Sequence, residues 1–403
     1  MALNNMFIER QIHKKIRNFL KERQIIVITG MRRVGKTTLV KELLKEIDSE
    51  NKIFIDLQQV ENRELFGNKN YDNILLELKN KRGLDVSQKM YIAIDEIQLV
   101  PELPGIIKYL YDHNDIKFIV TGSSSYYMKN LFTESLSGRK IIFELYPLNF
   151  DEFLNFKNVK HVNAEDFLSA DFPSSGYWTF KVYYDEFVEY GGFPEVVLAQ
   201  SPEVKKELLK DIINSYINID VETLSDFKKK DDFYKLVKVL AERVGSRMDY
   251  AKLSKIVGLS NVTLKNYLKF LEDTYLIHRV SVFTASREKE ITKAQKLYFS
   301  DTGIVNILSD VSSGAKFENT IFNQIKHYGE VRYYALKTGR EIDFVLQREK
   351  EDPVALEVKE TPTRFDVENL MKIAKVAKIN KSLIIGKNQT PNFTDYIWGG
   401  DIR

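Results

Sequence analysis

Apolar runs rich in β-branched residues recur through the first third of the chain, at 25–28, 52–56, 90–94, 116–121 and 140–145. Runs of this kind read as strands buried on both faces. Between and before them the apolar positions fall at the helical period, over 7–21, 39–45 and 71–81. Strands alternating with helices predict a parallel α/β sheet. From residue 148 the strand signal vanishes, and helical patterns run to about 273, with a looser stretch at 171–176. Gly191-Gly192-Phe193-Pro194-Glu195 reads as a helix stop followed by a new start, with Pro194 in the first turn. A short helix and glycine turn over 249–260, a helix over 261–271 and a strand over 276–283 give the order of a winged helix-turn-helix. On its second helix Asn261, Thr263, Lys265, Asn266 and Lys269 lie off the Leu264/Tyr267/Leu268/Leu271 face. The last hundred residues return to mixed structure. A helix over 316–325 leads into β-like runs at 331–336, 341–346 and 354–359, then a helix over 366–378 and a strand at 382–385.

Chemistry enters where the first strand ends. Residues 25–28 run into Thr29-Gly30-Met31-Arg32-Arg33-Val34-Gly35-Lys36-Thr37-Thr38, and a helical pattern follows. Strand, G-x-x-x-x-G-K-T loop and helix in that order are the context of a phosphate-binding loop, against the alternative of a plain glycine turn. Gly30 and Gly35 let backbone N–H groups turn inward around a phosphate, and the helix start adds its positive end. Lys36 is expected on the β- and γ-phosphates, Thr37 on Mg²⁺, and residues 30–38 together on ATP.

The third strand closes on Asp95-Glu96, and ligand groups collect at strand carboxyl ends. Asp95 is the candidate for the Mg²⁺ shell, the alternative being an acidic turn. Glu96 is the candidate general base, the alternative a surface carboxylate. The fourth strand ends in Thr121-Gly122-Ser123-Ser124-Ser125. Ser123, with Thr121 second, is the candidate for sensing the γ-phosphate or orienting water; a serine-rich helix cap is the alternative. Arg139, just before the fifth strand, is an arginine-finger candidate acting in cis or on a neighbouring subunit, or else a surface arginine.

In the carboxyl-terminal part the period of two puts Glu357 and Lys359 on one strand face, and Asp343 can join them across a hairpin. Two carboxylates and a lysine are the equipment for metal-assisted phosphodiester hydrolysis, with Glu318 as a further acid. A Glu-x-Lys pair is also an ordinary ion pair. His278, alone in an apolar strand, is expected to be satisfied locally rather than to bind a ligand.

Composition narrows this further. At 403 residues, about two to three domains are expected, and 43% apolar content is that of a globular chain. With 60 basic and 57 acidic residues the net charge is only +3, so any basic footprint must be local. The charge run 228–232 reads as a solvated loop. There is no cysteine, which excludes disulfides and thiolate metal sites and fits a reducing cytoplasm. Neither a signal pattern nor an apolar run long enough for a membrane span is present, nor any internal repeat or low-complexity tract. The expected location is cytoplasmic, with no membrane partner.

Taken together, Gly30 to Thr38, Ile92 to Glu96, Thr121-Gly122-Ser123-Ser124, Leu136-Ser137-Gly138-Arg139, Tyr146-Pro147-Leu148, Gly191-Gly192-Phe193-Pro194, Glu341-Ile342-Asp343-Phe344 and Glu357-Val358-Lys359 resemble one family. It is that of prokaryotic, especially archaeal, AAA+-related ATPases. The resemblance spans nearly the whole chain. It implies a phosphate-loop ATPase domain over 1–150, a helical lid over 151–230, a winged helix over 231–300 and a restriction-endonuclease-like domain over 301–403. The first sheet is expected to be of the additional-strand, catalytic-glutamate group. The function implied is an Mg²⁺-dependent ATPase that couples nucleotide state to binding or processing of double-stranded DNA, with ATP-dependent oligomerisation. Two alternatives stand beside it. One is a slow nucleotide-dependent switch or scaffold whose terminal domain binds only proteins; the other is a chaperone-like or transposon-associated ATPase.

Overall fold

A computed structural model of the chain describes residues 7–67, 71–123, 136, 138–161, 166–169, 172, 175–220 and 230–403. Ser124, Ser125, Ser137 and residues 171, 173 and 174 of the looser stretch lie outside them. The chain divides into two compact units, Met1–Tyr146 with Asp273–Tyr275, and Pro147–Glu272 with Leu276–Arg403.

In the first unit all five expected strands form: β1 (Ile25–Thr29), β2 (Lys52–Asp56), β3 (Met90–Asp95), β4 (Ile116–Gly122) and β5 (Lys140–Glu144). They make one parallel sheet in the order β2-β3-β4-β1-β5. The additional strand β4 thus separates β1 from β3, and the carboxyl ends of these three strands lie side by side. Helices α2 (Lys36–Lys45), α3 (Val60–Phe66), α4 (Tyr71–Arg82) and α5 (Leu103–His113) connect the strands. One core takes Val27 of β1, Ile92 and Ile94 of β3 and Phe118 and Val120 of β4, together with Leu103, Ile107 and Leu110 of α5.

The first helix is shorter than its period predicts. α1 covers Gln11–Arg17, not 7–21, because Arg10 already has extended backbone (ψ 146°) and the chain after residue 18 is pulled into turns. Lys117, fully buried, directs Nζ at the carbonyls of Phe19 and Glu22 (2.7 Å each) and Gln24 (2.5 Å), which holds this segment in turns.

The second unit begins with helices α6 (Phe150–Phe156), α7 (Ser175–Tyr190), α8 (Pro194–Leu198) and α9 (Pro202–Ser215). Asn149 and Glu152 form a capping box on α6. The Gly191-Gly192 break falls between α7 and α8 as expected, and packing explains both glycines. A Cβ on Gly192 would lie 2.2 Å from the Leu148 carbonyl oxygen, and one on Gly191 would lie 2.0 Å from Asp301 Oδ1. Asp301, fully buried, accepts a hydrogen bond from Gly192 N at 2.7 Å and caps the helix that follows it through Ile304 N at 3.3 Å.

Next come α10 (Lys230–Ala241), α11 (Tyr250–Val257) and α12 (Asn261–Asp273), then β6 (Ile277–Val280), the short α13 (Arg287–Thr292) and β7 (Lys296–Phe299). Lys230, Asp231 and Asp232, expected in a loop, open α10 instead; Lys228 and Lys229 lie outside the described residues. β6 and β7 pair antiparallel, and Arg247 bridges the outer side of β7 at Lys296. On α12 the side chains of Leu264, Tyr267, Leu268 and Leu271 are buried, while Asn261, Lys265, Asn266 and Lys269 are exposed. His278 is half-buried and bonded to Ser300 Oγ at 2.9 Å, and desolvation holds its pKa well below the ordinary value.

After α14 (Thr302–Leu308) and α15 (Ser313–Ile325), β8 (Glu330–Ala335), β9 (Glu341–Gln347), β10 (Val354–Lys359), α16 (Arg364–Ala377), β11 (Lys381–Gly386) and β12 (Ile397–Trp398) complete the chain. The second five-stranded sheet has the order β12-β11-β10-β9-β8, antiparallel from β8 to β10 and parallel from β10 to β12. Among the described residues no helix is long and apolar enough to cross a membrane.

Candidate nucleotide site and carboxyl-terminal carboxylate cluster

The loop after β1 is held by its glycines and by two neighbours. Gly30 (φ 151°) comes so close to the end of β5 that a Cβ would sit 2.0 Å from the Leu145 carbonyl oxygen. Gly35 caps α2 in the left-handed region (φ 98°), and Arg33 takes the same region at φ 65°. Arg10, buried, donates from Nη1 to the Val34 carbonyl (2.9 Å) and from Nη2 to the Tyr146 carbonyl (2.8 Å), tying the loop to the chain after β5. Met31 and Val34 are buried beneath the loop, Arg32 is half-buried and Arg33 and Thr38 are exposed. Lys36, also buried, turns Nζ onto the carbonyls of Gly30 and Met31, 2.8 Å from each. Its ammonium thus lies over the mouth of the loop, within reach of any anion bound there.

Thr37 Oγ1 donates to Asp95 Oδ2 at 2.6 Å, and Thr121 Oγ1 donates to Asp95 Oδ1. Thr37 and Asp95 thereby bring two oxygens to a separation near the roughly 2.9 Å of adjacent ligands on an octahedral Mg²⁺. This donor pair fits the ion. Burial pushes the Asp95 carboxyl up, against the pull of its bonds from Thr121 and Thr37.

Glu96 follows in the left-handed region (φ 59°, ψ 48°), an uncommon conformation for a residue with a side chain. Its N–H donates to Thr121 Oγ1 at 3.1 Å, so one threonine aligns both acids. The Glu96 carboxylate accepts from Gln98 Nε2, which also donates to Ser123 Oγ at 3.0 Å. Gln98 is buried, and among the described residues its Oε1 has no hydrogen-bond partner. The expected residues Lys36, Thr37, Asp95, Glu96, Thr121 and Ser123 therefore gather at one sheet edge.

Arg139 does not join them. Its carbonyl accepts from Ile25 N at 2.7 Å, at the start of β1, the length of that strand (~16 Å) from Gly30. Its guanidinium forks onto Asp112, 2.8 Å from Nε to Oδ1 and 3.1 Å from Nη2 to Oδ2. Within its own chain it stands at the wrong end of the sheet for a finger.

In the second unit Asp343, Glu357 and Lys359 do converge. Lys359 Nζ lies 2.7 Å from Glu357 Oε1, Asp343 N donates to Glu357 Oε2 at 3.4 Å, and Val358 N donates to Asp343 Oδ2 at 3.0 Å. Glu318 on α15 reaches the same cluster, accepting from Tyr298 Oη at 2.6 Å. At its centre stands a residue that sequence reasoning missed, Lys296. Its Nζ lies 2.9 Å from Glu341 Oε1, 3.3 Å from Glu318 Oε1 and 3.5 Å from Asp343 Oδ1. Burial and the nearby Asp343 carboxylate push Glu318 and Glu357 up to about 7, while Lys296 rises above the ordinary lysine value because the Asp343, Glu318 and Glu341 carboxylates outweigh its burial. Among the described residues no group of three or more His, Cys, Asp or Glu is arranged to hold a metal ion.

Comparison with known proteins finds three family matches along the chain. Residues 22–154 match a family described as an AAA domain, and residues 182–315 and 313–398 match two families described as domains of unknown function, DUF8612 and DUF4143. An uncharacterized protein of Haemophilus influenzae is 27% identical over 96% of this chain and 94% of its own length. One of Methanocaldococcus jannaschii is 26% identical over 95% and 88%. Among solved structures, the Aeropyrum pernix ORC2 protein in its ADP form aligns with 74% of this chain and 91% of its own at 12% identity and a TM-score of 0.39. The ORC1 protein of the same organism, in complex with DNA, aligns with 75% and 93% at 11% identity and 0.35. Likenesses at these scores carry no argument, so the assignment rests on the sheet order, the phosphate loop and the match over 22–154. The first unit has a phosphate-loop NTPase fold, and residues 22–154 of the chain match an AAA domain.

Proposed function

We propose that this chain is an Mg²⁺-dependent ATPase whose nucleotide state governs how residues 231–300 engage double-stranded DNA. The observation that supports it best is the gathering of Lys36, Thr37, Asp95 and Glu96 at the carboxyl edge of β1 and β3, with Thr121 bonded to both acids. In this reading residues 30–38 wrap the phosphates and Lys36 leaves the loop carbonyls for the β- and γ-oxygens. Thr37 and Asp95 hold Mg²⁺, which supplies charge neutralisation at the transferred phosphoryl. Glu96 takes the proton of the attacking water, and Gln98 with Ser123 sets the direction of its carboxylate. Single-turnover hydrolysis tests this part. Lys36→Ala and Glu96→Gln are expected to slow it at least 10-fold each, and full-rate hydrolysis by both would end the reading.

We retain 151–230 as a helical segment of the lid kind and 231–300 as a winged helix. The exposed Lys265 and Lys269 on α12, beside Asn261 and Asn266, support DNA contact. Titration of DNA binding against salt checks it, since each phosphate contact adds close to one to the slope of log affinity on log salt. A flat dependence together with ATP-dependent assembly would replace DNA by a protein partner and leave a nucleotide-dependent switch.

A further inference from the structure

We infer that the ammonium of Lys296 is the resident cation of the carboxylate cluster on β9 and β10, so that the carboxyl-terminal sheet takes no divalent metal ion there. Asp343, Glu357 and Lys359 have the spacing of a metal-dependent hydrolytic site, but the geometry around them is that of an internal ion cluster. Lys296 Nζ lies within 3.5 Å of oxygens of Glu318, Glu341 and Asp343. An ammonium has three donors for three such oxygens. A magnesium ion on the same oxygens, at its usual distance of about 2.0–2.1 Å, would have to stand where that nitrogen is. The two cations cannot share the place, because repulsion at such separations inside a protein is severe.

Lys296 is also unable to step aside. Its side chain is 1% exposed. Its backbone is bridged on one side by Val280 of β6 and on the other by Arg247. Most of the remaining carboxylate oxygens are engaged as well, Glu341 Oε2 lying 3.5 Å from Arg247 Nε. Asp343 Oδ2 takes the Val358 N–H, and the two oxygens of Glu357 take Lys359 and the Asp343 N–H. Protein donors therefore hold most of the oxygens of the cluster. It is retained as a polar core of the sheet, independent of whether the first unit hydrolyses ATP.

The test uses the full-length, nucleotide-free chain and counts bound Mn²⁺ by its electron paramagnetic resonance signal at millimolar metal. Wild type, Asp343→Asn, Lys296→Met and the Lys296→Met/Asp343→Asn double variant are compared. Wild type and Asp343→Asn are expected to bind the same amount. Lys296→Met is expected to gain one ion, to lose it again in the double variant, and to melt several degrees higher with Mn²⁺ than without. An ion bound by wild type and missing in Asp343→Asn would overturn the inference, as would a folded Lys296→Met variant that gains none. Should Lys296→Met fail to fold, the wild-type and Asp343→Asn pair decides alone: equal binding upholds the inference and an Asp343-dependent ion refutes it.

Discussion

Replacing Gln98 by leucine removes the amide that orients the Glu96 carboxylate while keeping a side chain of similar size in its buried site. Gln98 Nε2 serves both Glu96 and Ser123, and Gln98 is 4% exposed. A hydrogen bond to a charged acceptor contributes about 1.5–3 kcal/mol, and the one to Ser123 about 1 kcal/mol. The variant should lose on the order of 2–3 kcal/mol of stability, since leucine offsets part of the loss by apolar burial. The effect on turnover should be larger than a pure stability change implies. A base displaced by about 1 Å from its water loses on the order of 100-fold in rate. The Gln98 amide donates to Glu96 and Ser123 rather than to the phosphate loop, so the KM for ATP should stay within about 2-fold while kcat falls roughly 10- to 100-fold. Steady-state ATPase kinetics at a temperature where the variant is fully folded by circular dichroism separate the two constants. A folded Gln98→Leu chain with wild-type kcat would refute the role given to this residue. A parallel rise in KM would show that the substitution disturbs the loop instead.

Gly192→Ala puts a methyl group 2.2 Å from the Leu148 carbonyl oxygen, so the second unit should lose about 3 kcal/mol or more, read as a fall in the denaturation midpoint. Lys117→Met leaves the carbonyls of Phe19, Glu22 and Gln24 without their donor, and a comparable loss is expected for the first unit. Burial pushes the Asp301 carboxyl up from its ordinary 3.8 to about 6, against the pull of the Gly192 and Ile304 N–H groups. Between those values the folded chain holds a proton that the unfolded chain has released. The contribution of Asp301 is thus full below about pH 4 and declines as pH rises through 6, by up to about 3 kcal/mol. The stability difference between wild type and Asp301→Asn, followed by urea titration, should shrink over that window; a pH-independent difference would contradict the assignment.

The first sheet was readable because buried parallel strands are continuous apolar runs and because the phosphate loop joins neighbours in sequence. Lys36, Thr37, Asp95 and Glu96 follow from strand ends alone. The position of Arg139 was readable too, in hindsight: a residue that precedes a parallel strand belongs to the edge opposite the ligand site. Arg10, Gln98 and Lys296 were not. The carbonyl partners of Arg10 are 24 and 136 residues away, and the carboxylate partners of Lys296 lie on α15 and β9. Gln98 shares a short loop with Glu96, but only the adjacent strand end reveals that its amide bridges to Ser123. Local pattern carries period and turn chemistry; it does not carry which buried cation meets which buried acceptor.

The contact of Gly30 with the Leu145 carbonyl bears on how genetics on this chain should be read. Any side chain at position 30 collides with the end of β5 before a nucleotide is involved. Loss of activity in a Gly30 variant would therefore report a disrupted sheet, and a survey that found this position intolerant to change would say nothing about ATP. Truncating Lys36 brings no such collision, and its Nζ lies on loop carbonyls that a bound phosphate would displace. It is at Lys36, not at the glycine, that an inactive variant can be attributed to the chemistry.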